Sequence, residues 1–423
     1  MEQKRLCPFC IGELPPAATV CPHCGKILEG CNPAGCLPVG TVLAGRYTVG
    51  EMRSLDGEGV LYSGVENLGA FRVTIKEYLP VTLSAERGAD CILRPKQGSE
   101  VLFKTTRMDF AGLYRAVERI TPATGLEAVL DVVEANNTVY AVLENLGGTP
   151  LEQWLENRPA PVRAEEACAM LRPVFEGVAT MHKAGLVHRG ICPENIRVMA
   201  DGRCRLAGYA TVGLRTAGSG LHEQLYEGYS APEQYTTAEF EGRYTDEYSL
   251  AAVFYRMVCG QAPMPAAQRV VSDSNPRART VEPAVPAYVS DVLQLGLRLK
   301  VMERIQTVPQ LYQALSSKEY TDELTRTMKP ETPMHPARAE QSGQGREHLL
   351  SLKGLLAGIL ILLSVLILLT LWGIVSSKEE QPATSVPSSE AASGEEMKPQ
   401  NLVPNFVGID YEQIKNNREY TSM

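Results

Sequence analysis

Four cysteines near the N-terminus form two pairs, Cys7-Pro8-Phe9-Cys10 and Cys21-Pro22-His23-Cys24, separated by ten residues. A two-residue gap lets both thiolates of a pair reach one ion, and two pairs complete the tetrahedral sulfur shell that Zn2+ prefers. Proline at each second position and Gly25 after the second pair suit the tight turns this requires. Four sulfurs leave no open coordination position, so the expected metal at Cys7, Cys10, Cys21 and Cys24 is a structural Zn2+. Cys31 and Cys36 lack that spacing and read as linker thiols, with a part in a second site as the alternative. All 11 cysteines precede an uncharged run at Gly354–Val375. A reducing compartment on that side favours metal ligation over disulfides.

The elements that must position these and other groups follow from hydrophobic period. Alternation predicts strands at Val60–Val65, Phe71–Glu77, Val129–Glu134 and Thr138–Leu143, with Asn136-Asn137 as a hairpin turn. Ala167, Leu171, Val174, Val178 and Met181 share one helical face, interrupted by Pro173 and ended near Gly185. Asp246–Val258 is a second apolar helix before Gly260. Strands first and helices later give an α+β class. The 22 uncharged residues Gly354–Val375 are long enough to span a bilayer. Arg338, Arg346 and Lys353 precede the span and only Lys378 lies close after it, so the N-terminal part is expected in the cytoplasm and the tail outside. The average hides this: the mean hydropathy of −0.12 is that of a soluble protein. A net charge of −8 argues against nucleic acid as a partner.

The CxxC pairs resemble small N-terminal zinc-ribbon modules. Further along stand Val73-Thr74-Ile75-Lys76, His188-Arg189-Gly190-Ile191-Cys192-Pro193-Glu194-Asn195, Gly228-Tyr229-Ser230-Ala231-Pro232-Glu233 and Thr245-Asp246-Glu247-Tyr248-Ser249-Leu250. Their order and separation resemble bacterial Hanks-type serine/threonine protein kinases over residues 41–317, which implies a two-lobed protein-kinase-like fold. Val403-Pro404-Asn405-Phe406-Val407-Gly408 resembles the start of an extracellular PASTA module. The implied layout is a zinc ribbon at 1–30, a linker at 31–40, the kinase-like domain at 41–317, a juxtamembrane linker at 318–353, a transmembrane helix at 354–375, a Ser/Pro/Glu linker at 376–400 and an exterior tail at 401–423.

Phosphoryl transfer is mainly positioning and charge neutralisation, so each expected group can be checked by residue. Lys76 and Asn195 match the lysine and the metal-binding asparagine, and of the loop glycines only Gly59 survives; these three are the nucleotide-binding candidates. Ser54 and Asp56 replace the other two glycines, and Asp56 brings negative charge toward the phosphates. Gly190 stands where the catalytic aspartate belongs and Gly208, in Gly208-Tyr209-Ala210, where the metal-binding one belongs. The glutamate of the regulatory helix aligns with Leu113, with Glu118 one turn away. The structural residues are kept: His188, Arg189, Asp246, and the pair Glu233 and Arg304. Thr211, Thr216 and Ser219 fall in the activation-segment equivalent, where another kinase could place a phosphate.

With both carboxylates missing, the expectation is a membrane-anchored pseudokinase with no catalytic residue, acting as scaffold or allosteric regulator of a signalling partner such as an active kinase or phosphatase. ATP and Mg2+ are implied by the resemblance, while the two glycines weigh against them. Two readings stay open beside it: a divergent active serine/threonine kinase, and a zinc-ribbon interaction module that binds no nucleotide.

Overall fold

The computed structural model describes residues 5–15, 17–28, 32–120 and 125–328. The expected span at 354–375, the linker after it and the PASTA-like tail lie outside the described residues. Among the described residues no helix is long and apolar enough to cross a membrane.

Two short strands, β1 (Arg5–Leu6) and β2 (Glu13–Leu14), pair in the cysteine module. The upper lobe follows with β3 (Val42–Leu43), β4 (Tyr47–Leu55), β5 (Gly59–Glu66) and β6 (Phe71–Tyr78). A hairpin of β7 (Ser84–Arg87) and β8 (Leu93–Pro95) precedes helix α1 (Glu100–Glu118). Strands β9 (Val129–Ala135) and β10 (Thr138–Glu144) complete a six-stranded antiparallel sheet, ordered β3-β4-β5-β6-β10-β9. Asn136 and Asn137 both have positive φ, 54° and 57°, which a two-residue hairpin turn requires and asparagine tolerates. In β6 the period of two sends Val73, Ile75 and Glu77 to one face, and all three are buried. Lys76 therefore points to the opposite face, toward the cleft.

The lower lobe opens with β11 (Thr149–Pro150) and α2 (Leu151–Glu156), then α3 (Ala164–Lys183). Helix α3 runs on through Pro173, and Gly185 at φ 77° ends the turn after it. Strands β12 (Ile196–Val198) and β13 (Cys204–Leu206) pair beneath the cleft, followed by the one-turn helix α4 (Val212–Arg215). Helix α5 (Arg243–Cys259) is the lobe's central post, with nearly every residue from Thr245 to Cys259 buried. Gly260 at φ 72° caps it by donating to the Arg256 carbonyl. Shorter helices α6 (Ala266–Val271), α7 (Ala278–Val281), α8 (Ala287–Gly296) and α9 (Val308–Ser316) surround it.

Two expected boundaries shift. The linker placed at 31–40 is part of the lobe where it is described: Leu37 and Val39 are buried, and the Leu37 amide donates to Tyr62 Oη at 3.0 Å. The body does not end at 317 either. Helix α10 (Lys318–Met328) packs Tyr320 and Leu324 on the core, and the buried Thr321 hydroxyl donates to the Ala314 carbonyl at 2.7 Å. On paper residues 31–40 are broken by proline and glycine and residues 318–328 are mostly polar, and tertiary contacts decide the state of both.

Candidate functional site

The four N-terminal sulfurs lie within 4.8 Å of one another. Cys7 and Cys24 Sγ are 3.8 Å apart, and Cys10 and Cys21 Sγ are 3.6 Å apart. A tetrahedron with Zn–S bonds of about 2.3 Å has edges of about 3.8 Å, so the donor set fits Zn2+. The two knuckles repeat one turn: Ile11 N donates to the Cys7 carbonyl and Gly25 N to the Cys21 carbonyl, each at 2.9 Å, with φ of 68° and 72°. The module rests on the upper lobe. Arg72 Nη2 donates to the Phe9 carbonyl at 2.6 Å, and Lys26 pairs with Glu51 at 3.0 Å. Asn32 then bridges Gly50 O (2.9 Å) and Met52 N (2.8 Å) on β4.

The second site is the cleft between the lobes, a cavity of about 430 Å3 whose lining includes Asp56, Lys76, Glu127, Asn195, Gly208 and Arg215. Lys76 has carboxylates on two sides: Glu58 Oε1 at 2.7 Å and Asp56 Oδ2 at 3.2 Å. Its Nζ also donates to the Tyr209 carbonyl at 3.2 Å. Burial works to lower the ammonium's pKa, but Asp56 and Glu58 outweigh it and hold the group well above its ordinary value. Both acids come from the turn between β4 and β5, not from α1. Leu113 packs on the core, Tyr114 Oη donates to the Tyr209 carbonyl at 2.8 Å, and Glu118 lies exposed in the last turn of α1. The expectation of a regulatory-helix acid is thus replaced by an acid from the hairpin tip.

Below the cleft, Asp246 accepts the amides of His188 (2.8 Å) and Arg189 (2.7 Å) and pairs with His182 Nε2 (2.8 Å). These bonds hold Arg189 at φ 63° and fix the loop through Asn195. Glu233 and Arg304 make two 2.8 Å bonds with neither side chain exposed. Burial drives the His188 imidazole down to about 4, with Arg215 adding to the push, so it is neutral at physiological pH.

The positions of the two missing aspartates are filled by other groups. A Cβ built on Gly190 would lie 2.9–3.1 Å from the Arg215 guanidinium. That guanidinium stacks over Tyr226, 4.9 Å from the ring centroid, and donates to the carbonyls of Gly208 and Gln224, each at 3.2 Å. A Cβ on Gly208 would lie 2.5 Å from Asn195 Cγ, at a φ of +84°. Asn195 spends its amide on the Gly190 carbonyl (2.7 Å) and Tyr226 Oη (3.1 Å). Gly59, the third nucleotide-binding candidate, has a packing reason to be glycine: its Cβ would sit 2.1 Å from the Glu77 carbonyl.

A protein kinase domain implies ATP and Mg2+, and the residues of this cleft do not fit them. Gly208 supplies no carboxylate at the metal position, and Asn195, whose Nδ2 is spent on Gly190 and Tyr226, offers there only the neutral oxygen Oδ1. Lys76 is already satisfied by two acids. At the lobe connection the Leu146 amide turns back onto the Glu144 carbonyl at 2.9 Å, which consumes a donor and acceptor of the strand edge that lines the cavity. The cleft's inner wall carries Glu127, whose carboxyl is pushed up to about 8 by burial and by Glu144.

Comparison with known proteins agrees with this architecture. The protein kinase domain family matches residues 123–314. Serine/threonine-protein kinase PknL of Mycobacterium tuberculosis is 34% identical over 190 residues, covering 42% of this chain and 46% of PknL. Serine/threonine-protein kinase PknA of the same species is 25% identical over 276 residues, covering 61% of this chain and 58% of PknA. Among solved structures, the apo form of PpkA-294 is matched over its whole length and 67% of this chain, with a TM-score of 0.56 and 24% identity, a likeness of fold. The chain spans about half the length of the curated relatives it matches. The domain is therefore a protein-kinase-like fold, similar in sequence over part of its length to bacterial serine/threonine-protein kinases. The family match begins after α1, so the upper-lobe segment with the altered loop falls outside it.

Three groups that shape the cleft escape the sequence reading: Glu58, Arg215 and Glu241. Glu58 stands beside Asp56 in Asp56-Gly57-Glu58-Gly59, where a second acid next to the phosphate loop was a usable signal. Arg215 and Glu241 carry none. Glu241 Oε2 lies 2.7 Å from Arg189 Nε, and its other oxygen accepts the Thr216 hydroxyl. Thr216 and Thr211 are both buried, which removes them as exposed phosphate acceptors.

Proposed function

We propose that the protein is a membrane-anchored signalling protein whose kinase-like domain is a pseudokinase, a shaped surface rather than a phosphoryl-transfer site. The observation that carries the reading is the refilling of both aspartate positions. The Arg215 guanidinium lies against Gly190, and the Asn195 amide lies against Gly208. A centre that had only lost two carboxylates would leave space there. The zinc ribbon adds a second, rigid face, docked on the upper lobe by Arg72 and Lys26. Residues 354–375 anchor the chain, with the ribbon and kinase-like domain in the cytoplasm. The partner is a protein, with an active kinase or a phosphatase as the class to seek first.

The test is full-length protein with labelled ATP and Mg2+ or Mn2+. No transfer to itself or to a basic protein is expected. Transfer that Lys76→Ala abolishes overturns the reading in favour of a divergent active kinase. Metal analysis of undenatured protein should give about one zinc per chain, and Cys10→Ser should lower it; a ratio near zero in the unaltered protein removes the zinc assignment. Protease applied to intact cells should trim the tail and spare the kinase-like domain if the orientation is right.

A further inference from the structure

The turn between β4 and β5 is built around acids rather than glycine alone. Asp56 Oδ1 accepts the amides of Glu58 (2.9 Å) and Gly59 (2.8 Å), which fixes the turn. The Glu58 carbonyl accepts the Leu79 amide at 2.9 Å, so the backbone at Glu58 is pinned as well. The Glu58 side chain is fully buried and uses both oxygens. Oε1 meets Lys76 at 2.7 Å, while Oε2 accepts Thr211 N at 3.0 Å and Thr211 Oγ1 at 2.7 Å. Thr211 belongs to the segment just after Gly208-Tyr209-Ala210. Next to it, the Gly57 backbone lies so close to the His222 carbonyl that a Cβ would fall 1.7 Å away. One side chain therefore ties the upper-lobe turn, the β6 lysine and the lower-lobe segment together.

We propose that Glu58 is a tethered stand-in for a nucleotide phosphate: its carboxylate takes the place on Lys76 that a phosphate would take and latches the two lobes shut with no ligand. This rests on the pseudokinase reading and deepens it by stating how the shape is held. The charge arithmetic supports it. In the kinase scheme the lysine neutralises phosphate oxygens, and a glycine turn lets backbone amides approach them. Here two carboxylates face one ammonium, so the balance at Lys76 itself is negative before any anion arrives, although Arg53, Arg197 and Arg215 line other parts of the cavity. A phosphate at Lys76 would meet that excess, and it would also have to displace a buried carboxylate with three partner contacts. A bound nucleotide can leave and let lobes part. A tethered carboxylate has no dissociation step, because its effective concentration is set by the loop that carries it. The closed form would then be a constant property of the domain, presented to its partner independently of nucleotide supply.

The test uses full-length protein and two variants, Asp56→Asn/Glu58→Gln and Thr211→Val. Binding of ATP is measured by calorimetry with and without Mg2+, and backbone hydrogen exchange is followed at 55–59 and 209–213. Unaltered protein should show no ATP binding at millimolar concentration and strong protection in both segments. The double variant keeps the side-chain sizes and removes the charges. It should lose protection in both segments together and bind ATP at least tenfold more tightly than the unaltered protein, with no gain from Mg2+. Thr211→Val leaves the lysine contact and removes one strut, so protection should fall at 209–213 while ATP stays excluded. Equal ATP binding in the unaltered protein and the double variant, or unchanged exchange in both variants, overturns the latch. Either result can occur in a protein that transfers no phosphate, so the latch fails separately from the pseudokinase reading, which falls only if transfer is seen.

Discussion

Two buried pairs of carboxylate and cation, Glu233 with Arg304 and Glu58 with Lys76, are built from similar chemistry and do different work. Arg304 uses its guanidinium fully: two bonds to Glu233, and others to the carbonyls of Arg298, Leu299 and Tyr244. All of these partners lie in one lobe, around the foot of α5. Lys76 instead joins an upper-lobe turn to the Tyr209 carbonyl, and Glu58 carries the link on to Thr211. The first pair sits inside a rigid frame and the second across a joint. A buried pair is weak evidence of net stability in either place. What differs is the escape available when a partner is lost: the frame must bury the orphan, whereas the joint can open and give it water.

The largest effect should therefore come from Arg304→Met. Leaving Glu233 buried and unpaired costs about 3–5 kcal/mol. In a domain of this size that is a fall in Tm of about 10 °C, read by circular dichroism. Lys76→Met removes an equally buried cation, and the loss should be less than half as large, with faster hydrogen exchange at 55–59. Equal losses would mean that the cleft is as rigid as the frame, and the distinction drawn here would break.

Gly208→Asp comes next. The backbone is in the left-handed region and the Cβ would overlap the Asn195 amide, so the substitution should cost about 1–3 kcal/mol in urea unfolding. It restores a metal carboxylate in composition only, and no Mg2+-dependent ATP binding should appear. A variant that is stable and binds Mg2+ would show that Asn195 yields easily and that the cleft floor is not part of the rigid frame.

Glu247 tests the frame from within. It is fully buried beside Asp246, and neither of its oxygens has a hydrogen-bond partner among the described residues. Burial, then Asp246, push its carboxyl up to about 8. The folded state thus keeps a proton that the unfolded chain releases near its ordinary value of about 4.3. Between those values the unfolded state binds fewer protons, so stability falls as pH rises, by up to about 1.4 kcal/mol per unit. Glu247→Gln should remove this slope. Its Tm relative to the unaltered protein should rise from pH 5.5 to pH 7.5. A constant difference across that range would place water or a cation on Glu247.

The frame was legible in the sequence because it is written in residue types at long-range positions: Glu233, Asp246, Arg304 and the ordered motifs around them. The strands were legible for the same reason, since alternation in Phe71–Glu77 fixes which face Lys76 takes. The loss at Gly190 and Gly208 was equally plain. What filled those positions was not, because Arg215 reaches Gly190 from 25 residues away through a turn whose path no local pattern encodes. The cysteine pairs gave the four-sulfur cluster by spacing alone, yet their docking on β4 and β6 depends on single contacts from Arg72 and Lys26 that any solvated cation could mimic on paper.

The smallest expected effect is also the most discriminating. Gly190→Asp restores the aspartate that a kinase would use. Unlike Gly208, this position has no positive φ, and the atoms met by a new Cβ are the far end of a long side chain. Arg215 can shift by a few tenths of an ångström and pair with the new carboxylate. Stability should change by less than about 1 kcal/mol, in contrast to Gly208→Asp. The new acid would be bound to a guanidinium and would hold no substrate hydroxyl, so transfer should stay absent in the single variant and in Gly190→Asp/Gly208→Asp. Transfer by that double variant would mean that two carboxylates were all the cleft lacked. If Gly190→Asp instead destabilises as strongly as Gly208→Asp, Arg215 is held as rigidly as Arg304, and the floor of the cleft belongs to the frame rather than to the joint.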